Sequence, residues 1–249
     1  GGFMEYILLS AGKGTRMLPL TADKPKCLIP VDGETTVLES QLSVLEECGA
    51  KKVHIVAGYL IDQVKEKISI YQSNMEISII HNPFYNSSNN IISLWLASNI
   101  LEGPCISING DNIFKPEVIE ALMDVQGEIV MTTDEKDSYD SDDMLVRIEN
   151  GLVKNVGKDL DIKTSNGESL GIIKFDTNGW KKIRNKLDQM LVEEENHQIF
   201  YLAALQELMD DGNEVISCKV SEDSWAEIDF HPDVNDVRNK IELFARKIK

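Results

Sequence analysis

The feature that most constrains this chain's fold is an alternation, through its first half, of short apolar runs with amphipathic segments. EYILLS (5–10) reads as a short buried-type strand, KKVHIVAG (51–58) and EISIIHN (76–82) as further strands, and PCISING (104–110) as another apolar strand. Between them, TTVLESQLSVLEECG places Val37, Leu38, Leu42 and Leu45 at helical spacing and ends at Gly49. IDQVKEKISIY (61–71) reads as a second helix. NNIISLWLASNIL (89–101) reads as a third, opened by Asn89 or Asn90 as its cap. A β-α-β-α-β order predicts a parallel sheet with right-handed crossovers.

The second half differs. EIVMTTD, DMLVRIEN, LVKNVGK and SLGIIKFD read as strands with little helix between them, EKDSYDSDD as a polar acidic loop, and ENG as a hairpin turn. Helices are expected near 180–191 and 198–209, strands at EVISCKV and WAEIDF, and a final helix from about Asp233. The expected fold is an α/β, doubly wound, Rossmann-like and mostly parallel sheet with an antiparallel insertion over its ligand edge. One domain is expected over 4–249, its core mainly 4–133 and a second part over 134–249. Gly1, Gly2 and Phe3 precede Met4 and read as an addition ahead of a natural start.

Hydrophobic residues make up 42% of the chain, enough for a sizeable core. No run is long and apolar enough to span a bilayer, and none resembles a signal peptide. The four cysteines, Cys27, Cys48, Cys105 and Cys218, form no C-x-x-C pair, and the histidines are equally scattered. Reduced thiols in a cytoplasmic protein are expected. A formal net charge of -17 argues against partnership with nucleic acid or an anionic membrane.

Against that charge, residues 1–30 carry Lys13, Arg16, Lys24 and Lys26 and only Glu5 and Asp23. The cations lie in ILLSAGKGTRMLPLTADKPKCLIPV (7–31), just beyond the first strand, where open α/β sheets bind ligands. Gly12 and Gly14 let the backbone approach an anion closely, and Arg16 and Lys26 add positive charge. Lys26 reads as a solvent-facing cation. The pattern is a phosphate site, yet neither the G-x-x-x-x-G-K-[ST] loop nor the dinucleotide G-x-G-x-x-G is present, since Met17 stands at the third glycine position. Asp111 ends one apolar strand and Asp229 ends WAEID, with Glu227 on the same face two residues earlier. Carboxylates gathered from distant strands suit Mg²⁺. For Asp111 alone, capping of a turn is an equal alternative.

LSAGKGTRMLPLTADKPKCLIPV closely resembles the signature of the nucleoside-triphosphate transferases that activate sugar phosphates and small alcohol phosphates: a small-residue turn, G-x-G-T/S-R, a proline-containing stretch and P-K. NPFYNSSNNIISLWLA, INGDNIF, WAEIDF and GYLIDQV narrow the resemblance to phosphocholine and phosphonate cytidylyltransferases. The resemblance implies attack of a substrate phosphate on the α-phosphorus of CTP, with release of pyrophosphate. It implies that Arg16 and Lys26 hold the triphosphate and that Ala11, Gly12, Lys13, Gly14 and Thr15 surround the nucleotide. Asp111 and Asp229 would hold Mg²⁺, with Glu227 as a further ligand or a support, and Lys158 would meet the acceptor's phosphate.

Asn90 and Ser93, with Tyr59 nearby, offer the amide and hydroxyl groups that suit cytosine, although Asn90 reads equally as a helix cap. Several relatives accept an aminated acceptor, which makes Asp142 and Asp143 of the acidic loop candidate contacts for an ammonium group. Trp95, Trp180 and Phe200 read as core. The partners implied are CTP and a small phosphate or phosphonate such as phosphocholine, phosphoethanolamine or 2-aminoethylphosphonate. A homodimer is left open. Two rival readings stand: a hexose-1-phosphate nucleotidylyltransferase and a catalytically silent nucleotide-binding regulatory domain.

Overall fold

The computed structural model describes residues 2–229. The four central residues of β1 (Glu5–Ser10) are buried. A small hairpin, β2 (Pro30–Asp32) and β3 (Thr35–Thr36), leads into α1 (Val37–Glu47). Thr36 and Glu39 fix the start of α1 by bonding reciprocally to each other's backbone N–H, a capping box. Then follow β4 (Lys52–Ala57), α2 (Ile61–Ile70), β5 (Glu76–His81), α3 (Asn90–Ser98) and β6 (Cys105–Asn109), completing the predicted alternation. Asn89 caps α3, so Asn90 is its first helical residue.

Beyond lie β7 (Asn112–Phe114), α4 (Pro116–Asp124), β8 (Ile129–Asp134), β9 (Leu145–Glu149), β10 (Leu152–Gly157) and β11 (Gly167–Phe175). They are followed by α5 (Thr177–Met190), α6 (Leu202–Asp210), β12 (Ile216–Lys219) and β13 (Trp225–Glu227). The predicted ENG turn joins β9 to β10, with Asn150 and Gly151 both at positive φ, the geometry of a tight two-residue hairpin. Helix α4 is not anticipated by the sequence reading. Helix α6 starts at Leu202 rather than near Gln198, because Glu194–Gln198 forms a separate 3-10 turn. The helix expected from Asp233 lies outside the described residues.

Nine strands form one sheet in the order β5-β4-β1-β6-β11-β8-β12-β10-β9. Strands β5, β4, β1 and β6 are mutually parallel. β11 runs antiparallel between β6 and β8, and β12 returns parallel to β8. The antiparallel strands of the second half therefore continue the main sheet, which is mixed. Both faces are covered, as a doubly wound α/β fold requires. Leu38 and Leu42 of α1, Val64 of α2 and Val118 of α4 pack against one face, and α3, α5 and α6 cover the other with Leu94, Trp180 and Leu205.

A third, smaller apolar cluster positions the functional edge. It joins Met17 and Ile29 of the loop after β1 to Ile113 of β7 and to Ala226 and Ile228 at β13. The glycine-rich loop is thus stapled to the two strands that carry the candidate metal ligands. Among the described residues, no helix is long and apolar enough to cross a membrane.

Candidate active site

Strand order reverses around β1: β4 and β5 lie on one side of it and β6 on the other. Such a switch point opens a crevice beyond the strands' carboxyl ends. A cleft of about 230 Å³ is found there. Ser10, Ala11, Gly12 and Gly14 line it from β1 and its loop, Gly110 and Asp111 from the end of β6, and Glu227 from β13. Only glycine fits at position 110, since a Cβ would stand 2.3 Å from Ser10 Oγ and 2.5 Å from the Leu9 carbonyl. The ends of β1 and β6 can therefore close together under the ligand. Gly14 has φ +60 and introduces the 3-10 turn Thr15–Met17, which carries Arg16. Thr21 Oγ1 donates to the Gly14 carbonyl and Tyr59 Oη to the carbonyls of Thr21 and Ala22, so the loop is braced from behind.

The structure brings cations and carboxylates together at the cleft floor. Asp229 lies 2.7 Å from Arg16 Nη2, and Lys26 Nζ donates to Asp111 Oδ2 at 3.2 Å and Asp229 Oδ1 at 3.5 Å. Lys26 is not the solvent-facing cation expected from sequence: its side chain is only 17% exposed. Burial works against its charge, but Asp111 and Asp229 outweigh that and hold its pKa above the usual lysine value. β7 and β13 pair antiparallel with Glu227 opposite Asn112, and Ile228 N–H donates to the Asp111 carbonyl. These backbone bonds carry Asp111 and Asp229 to the same place from positions far apart in the chain.

Oxygen atoms of Asp111, Glu227 and Asp229 all lie within 4.8 Å of one another. Asp111 Oδ1 is buried without a hydrogen-bond partner. Glu227 keeps accessible surface in the cleft, yet desolvation, and then repulsion from Asp111 and Asp229, push its carboxyl up to about 8. An orphaned buried carboxylate oxygen among three converging carboxylates is the donor set of a hard divalent cation, which would favour the charged forms of all three.

The remaining predicted residues divide. Asn90, Ser93, Asp142 and Lys158 line the cleft. Asn90 Oδ1 accepts from Tyr201 N–H, and Ser93 Oγ accepts from Asn82, so both groups are fixed in place. Lys13, Thr15, Tyr59 and Asp143 are not among the cleft-lining residues. Tyr59 spends its hydroxyl on the loop, and the neighbouring Tyr85, with ring centroids 6.1 Å apart, faces the cleft in its stead. Asp143 ion-pairs with Lys136 at 3.3 Å and caps the Asp140 N–H at 2.8 Å, which makes it a brace of the acidic loop. Lys136 also reaches Glu168 at 2.6 Å; burial nevertheless raises the Glu168 carboxyl to about 7. Trp180 is buried core and Trp95 donates to Asp188, but Phe200 is a cleft residue, with Lys158 Nζ 5.3 Å from its ring centroid. The sequence signal for Tyr85 was its place in NPFYNSS, beside the predicted base site. Nothing local marked Phe200, which stands immediately before Tyr201 and the start of α6.

Known proteins share this fold. The chain is 23% identical over 252 residues to the CTP:phosphoglutamine cytidylyltransferase of Campylobacter jejuni, covering 93% of this chain and 98% of that one. It is 33% identical over 117 residues to the 2-aminoethylphosphonate cytidylyltransferase of Lancefieldella rimae, a stretch that spans 44% of this chain and 46% of that enzyme. Its fold matches that of the CTP:phosphocholine cytidylyltransferase from Streptococcus pneumoniae with a TM-score of 0.78 and 22% identity, over 96% of this chain and 98% of the other. The inositol-1-phosphate CTP transferase from T. maritima superposes with a TM-score of 0.79 at 20% identity, over 97% of both chains. The model of the Nucleotidyl transferase family matches residues 5–136, just over half of the chain and the part that holds the glycine loop, Lys26, Asn90 and Asp111. The chain therefore belongs to the nucleotidyl transferase family.

Proposed function

We propose that this protein is a cytidylyltransferase that joins CTP to a small phosphate or phosphonate monoester and releases pyrophosphate. The observation that carries the reading is the convergence, in one cleft at the β1–β6 crevice, of a glycine loop, Arg16, Lys26 and Lys158 with Asp111 and Glu227, and with Asp229 clustered beside them. The names of the relatives support CTP as the nucleotide, and the polar start of α3 supports cytosine as the base. The reaction is cytoplasmic in this reading, consistent with four free cysteines.

In this mechanism Gly12 and Gly14 hold the triphosphate close to the loop backbone. A side chain at Gly12 would meet nothing within 4 Å, so that face of the loop is open to ligand. Arg16 and Lys26 stabilise the charge that builds up as the α-phosphorus is attacked. Lys158, held over the Phe200 ring, orients the acceptor's phosphate for in-line displacement. That oxygen is already anionic, so no side chain needs to remove a proton from it. Asp111, Asp229 and Glu227 would hold Mg²⁺, which when bound supplies charge neutralisation at the α-phosphate and orientation of the leaving pyrophosphate. Asn90 and Ser93 present fixed polar groups to the cytosine edge.

A pyrophosphate-release screen of four nucleoside triphosphates against phosphocholine, phosphoethanolamine, 2-aminoethylphosphonate, glycerol phosphate and hexose 1-phosphates tests the reading. CTP is expected to exceed UTP by roughly tenfold or more, since a misplaced donor leaves buried polar groups unpaired. Preference for UTP or dTTP with a hexose 1-phosphate would favour the hexose enzyme. Turnover with no pair would favour the silent regulatory domain.

The aminated acceptor is the finer part of the proposal. Asp142 is the one member of the 135–143 loop among the cleft-lining residues, and Asp143, Lys136 and Glu168 brace the segment that presents it. A primary ammonium offers three donors and suits a carboxylate, whereas a quaternary ammonium prefers aromatic faces. Asp142→Asn is expected to raise KM for 2-aminoethylphosphonate or phosphoethanolamine roughly tenfold, the scale of one charged hydrogen bond. KM for CTP should stay within about twofold, because the base and triphosphate contacts lie elsewhere in the cleft. An unchanged acceptor KM would remove Asp142. A wild-type preference for a hydroxylated acceptor would remove the ammonium site.

A further inference from the structure

We propose that Gln41, on α1 and outside the lining of the cleft, is a positioning residue for the carboxylate cluster. The proposal depends on the metal assignment above and goes beyond it to what holds Asp111 in place. Gln41 is 1% exposed and sits among Val37, Leu38, Leu42 and Leu45, the apolar face of α1. A buried primary amide on such a face is costly unless it is bonded. Its Nε2 donates to the Asn112 carbonyl at 2.8 Å and the Asn109 carbonyl at 3.2 Å. Those two carbonyls bracket Gly110 and Asp111. Both amide hydrogens are thereby used on the two ends of the turn that presents Asp111, while Gln41 Oε1 is buried without a partner. The side chain is thus committed as a double donor: it clamps a backbone turn and leaves its own acceptor unused.

Three other bonds act on the same turn from other directions. Gly110 N–H donates to the Leu9 carbonyl, Ile228 N–H donates to the Asp111 carbonyl, and Asn112 Nδ2 donates to the Leu170 carbonyl of β11. The sheet thus fixes the turn from β1 and β11, β13 fixes it from the side that brings Asp229, and only Gln41 fixes it from α1. Without that clamp the Asp111 carboxylate keeps its chemistry but loses part of its aim toward Glu227 and Asp229. Groups that orient metal ligands in this way typically account for about 10–100-fold in metal affinity.

Gln41→Met keeps length and apolarity and removes both donors. Mn²⁺ binding, read by the electron-spin-resonance signal of free Mn²⁺ with no CTP or acceptor present, is expected to weaken roughly tenfold. The Mg²⁺ concentration for half-maximal turnover should rise by a similar factor, with kcat at saturating Mg²⁺ largely recovered. A purely structural amide would lower the melting temperature and leave Mn²⁺ affinity of the folded protein unchanged, which overturns the proposal. Should Gln41→Met not fold, Asn112→Ser releases the same turn from β11 and is expected to shift the Mn²⁺ midpoint in the same direction. Wild-type Mn²⁺ affinity in that variant, failure of both variants to fold, or wild-type protein that does not bind Mn²⁺ would each overturn the clamp. Because the Mn²⁺ readout needs no reaction, wild-type protein that binds Mn²⁺ yet transfers no cytidylyl group would remove the proposed reaction and leave the clamp standing.

Discussion

Lys26→Ala should lower kcat by roughly 10²–10³, the scale of one lost electrostatic contact to a transition state. The ammonium lies between Asp111 and Asp229 at the cleft floor, and its raised pKa keeps it charged throughout the neutral range. Charge that develops on the transferring phosphate would meet a fixed cation there, with little reorganisation left to make. Removing it also leaves two carboxylates with less compensation, though Arg16 still reaches Asp229. The stability cost should therefore fall between an exposed and a fully buried pair, on the order of 1–3 kcal/mol. That is small beside the ~5–15 kcal/mol of an ordinary domain, so the variant should be folded at 25 °C. Stopped-flow or steady-state turnover at saturating CTP and Mg²⁺, with a thermal melt beside it, separates the two effects. A folded variant with near-normal kcat would take Lys26 out of the mechanism.

The same lysine shows where sequence reading succeeds and where it stops. Its chemistry is legible because P-K after a glycine loop and a first strand is local in sequence. Its surroundings are not, because Asp111 and Asp229 reach it only through the β7–β13 pairing and the Met17–Ile113–Ile228 cluster. The first half of the fold is legible for a related reason. Strands buried on both faces read as unbroken apolar runs, and α1 and α3 carry their caps and periodicity within a dozen residues. Helix α4 carried comparable signals, Pro116 at its first turn and Val118, Ile119 and Leu122 at helical spacing. The place of β11 between β6 and β8 has no such local mark, since pairing partners are chosen by tertiary packing.

Side-chain direction is the other thing sequence leaves out. Tyr59 and Tyr85 are both plausible neighbours of the base site by position, yet one braces the loop and the other lines the cleft. Asp142 and Asp143 are adjacent, and adjacency in an irregular loop sends them different ways, one to the cleft and one to Lys136. Gln41 is the extreme case. The sequence reading passes over it on the apolar face of α1, and the two carbonyls its amide meets come together only in the fold.

Asp111→Asn and Asp229→Asn should each cut kcat/KM by about 10²–10³ at limiting Mg²⁺, and their differences test the site's architecture. Asparagine matches aspartate in size, so neither change opens a cavity. In Asp111→Asn the loss is one charged oxygen donor and the 3.2 Å ion pair to Lys26, while Arg16 keeps its bond to Asp229. Excess Mg²⁺, or Mn²⁺ in its place, should restore part of the rate, and relief of repulsion among three carboxylates within 4.8 Å should offset the weakened Lys26 pair and leave the melting temperature little changed. In Asp229→Asn the same donor is lost together with two charged contacts, Arg16 at 2.7 Å and Lys26 at 3.5 Å. Arg16 then loses its 2.7 Å contact and Lys26 one of its two carboxylate contacts, with Asp111 still at 3.2 Å, so KM for CTP should rise as well and extra metal should recover less. The Lys26→Ala variant supplies the contrast, because its Mg²⁺ midpoint should move far less than its kcat. Measured across a Mg²⁺ titration, wild-type midpoints in both aspartate variants would dismiss the metal assignment. An Asp111 variant as resistant to rescue as the Asp229 variant would instead show that the two carboxylates do not divide the work as their contacts indicate.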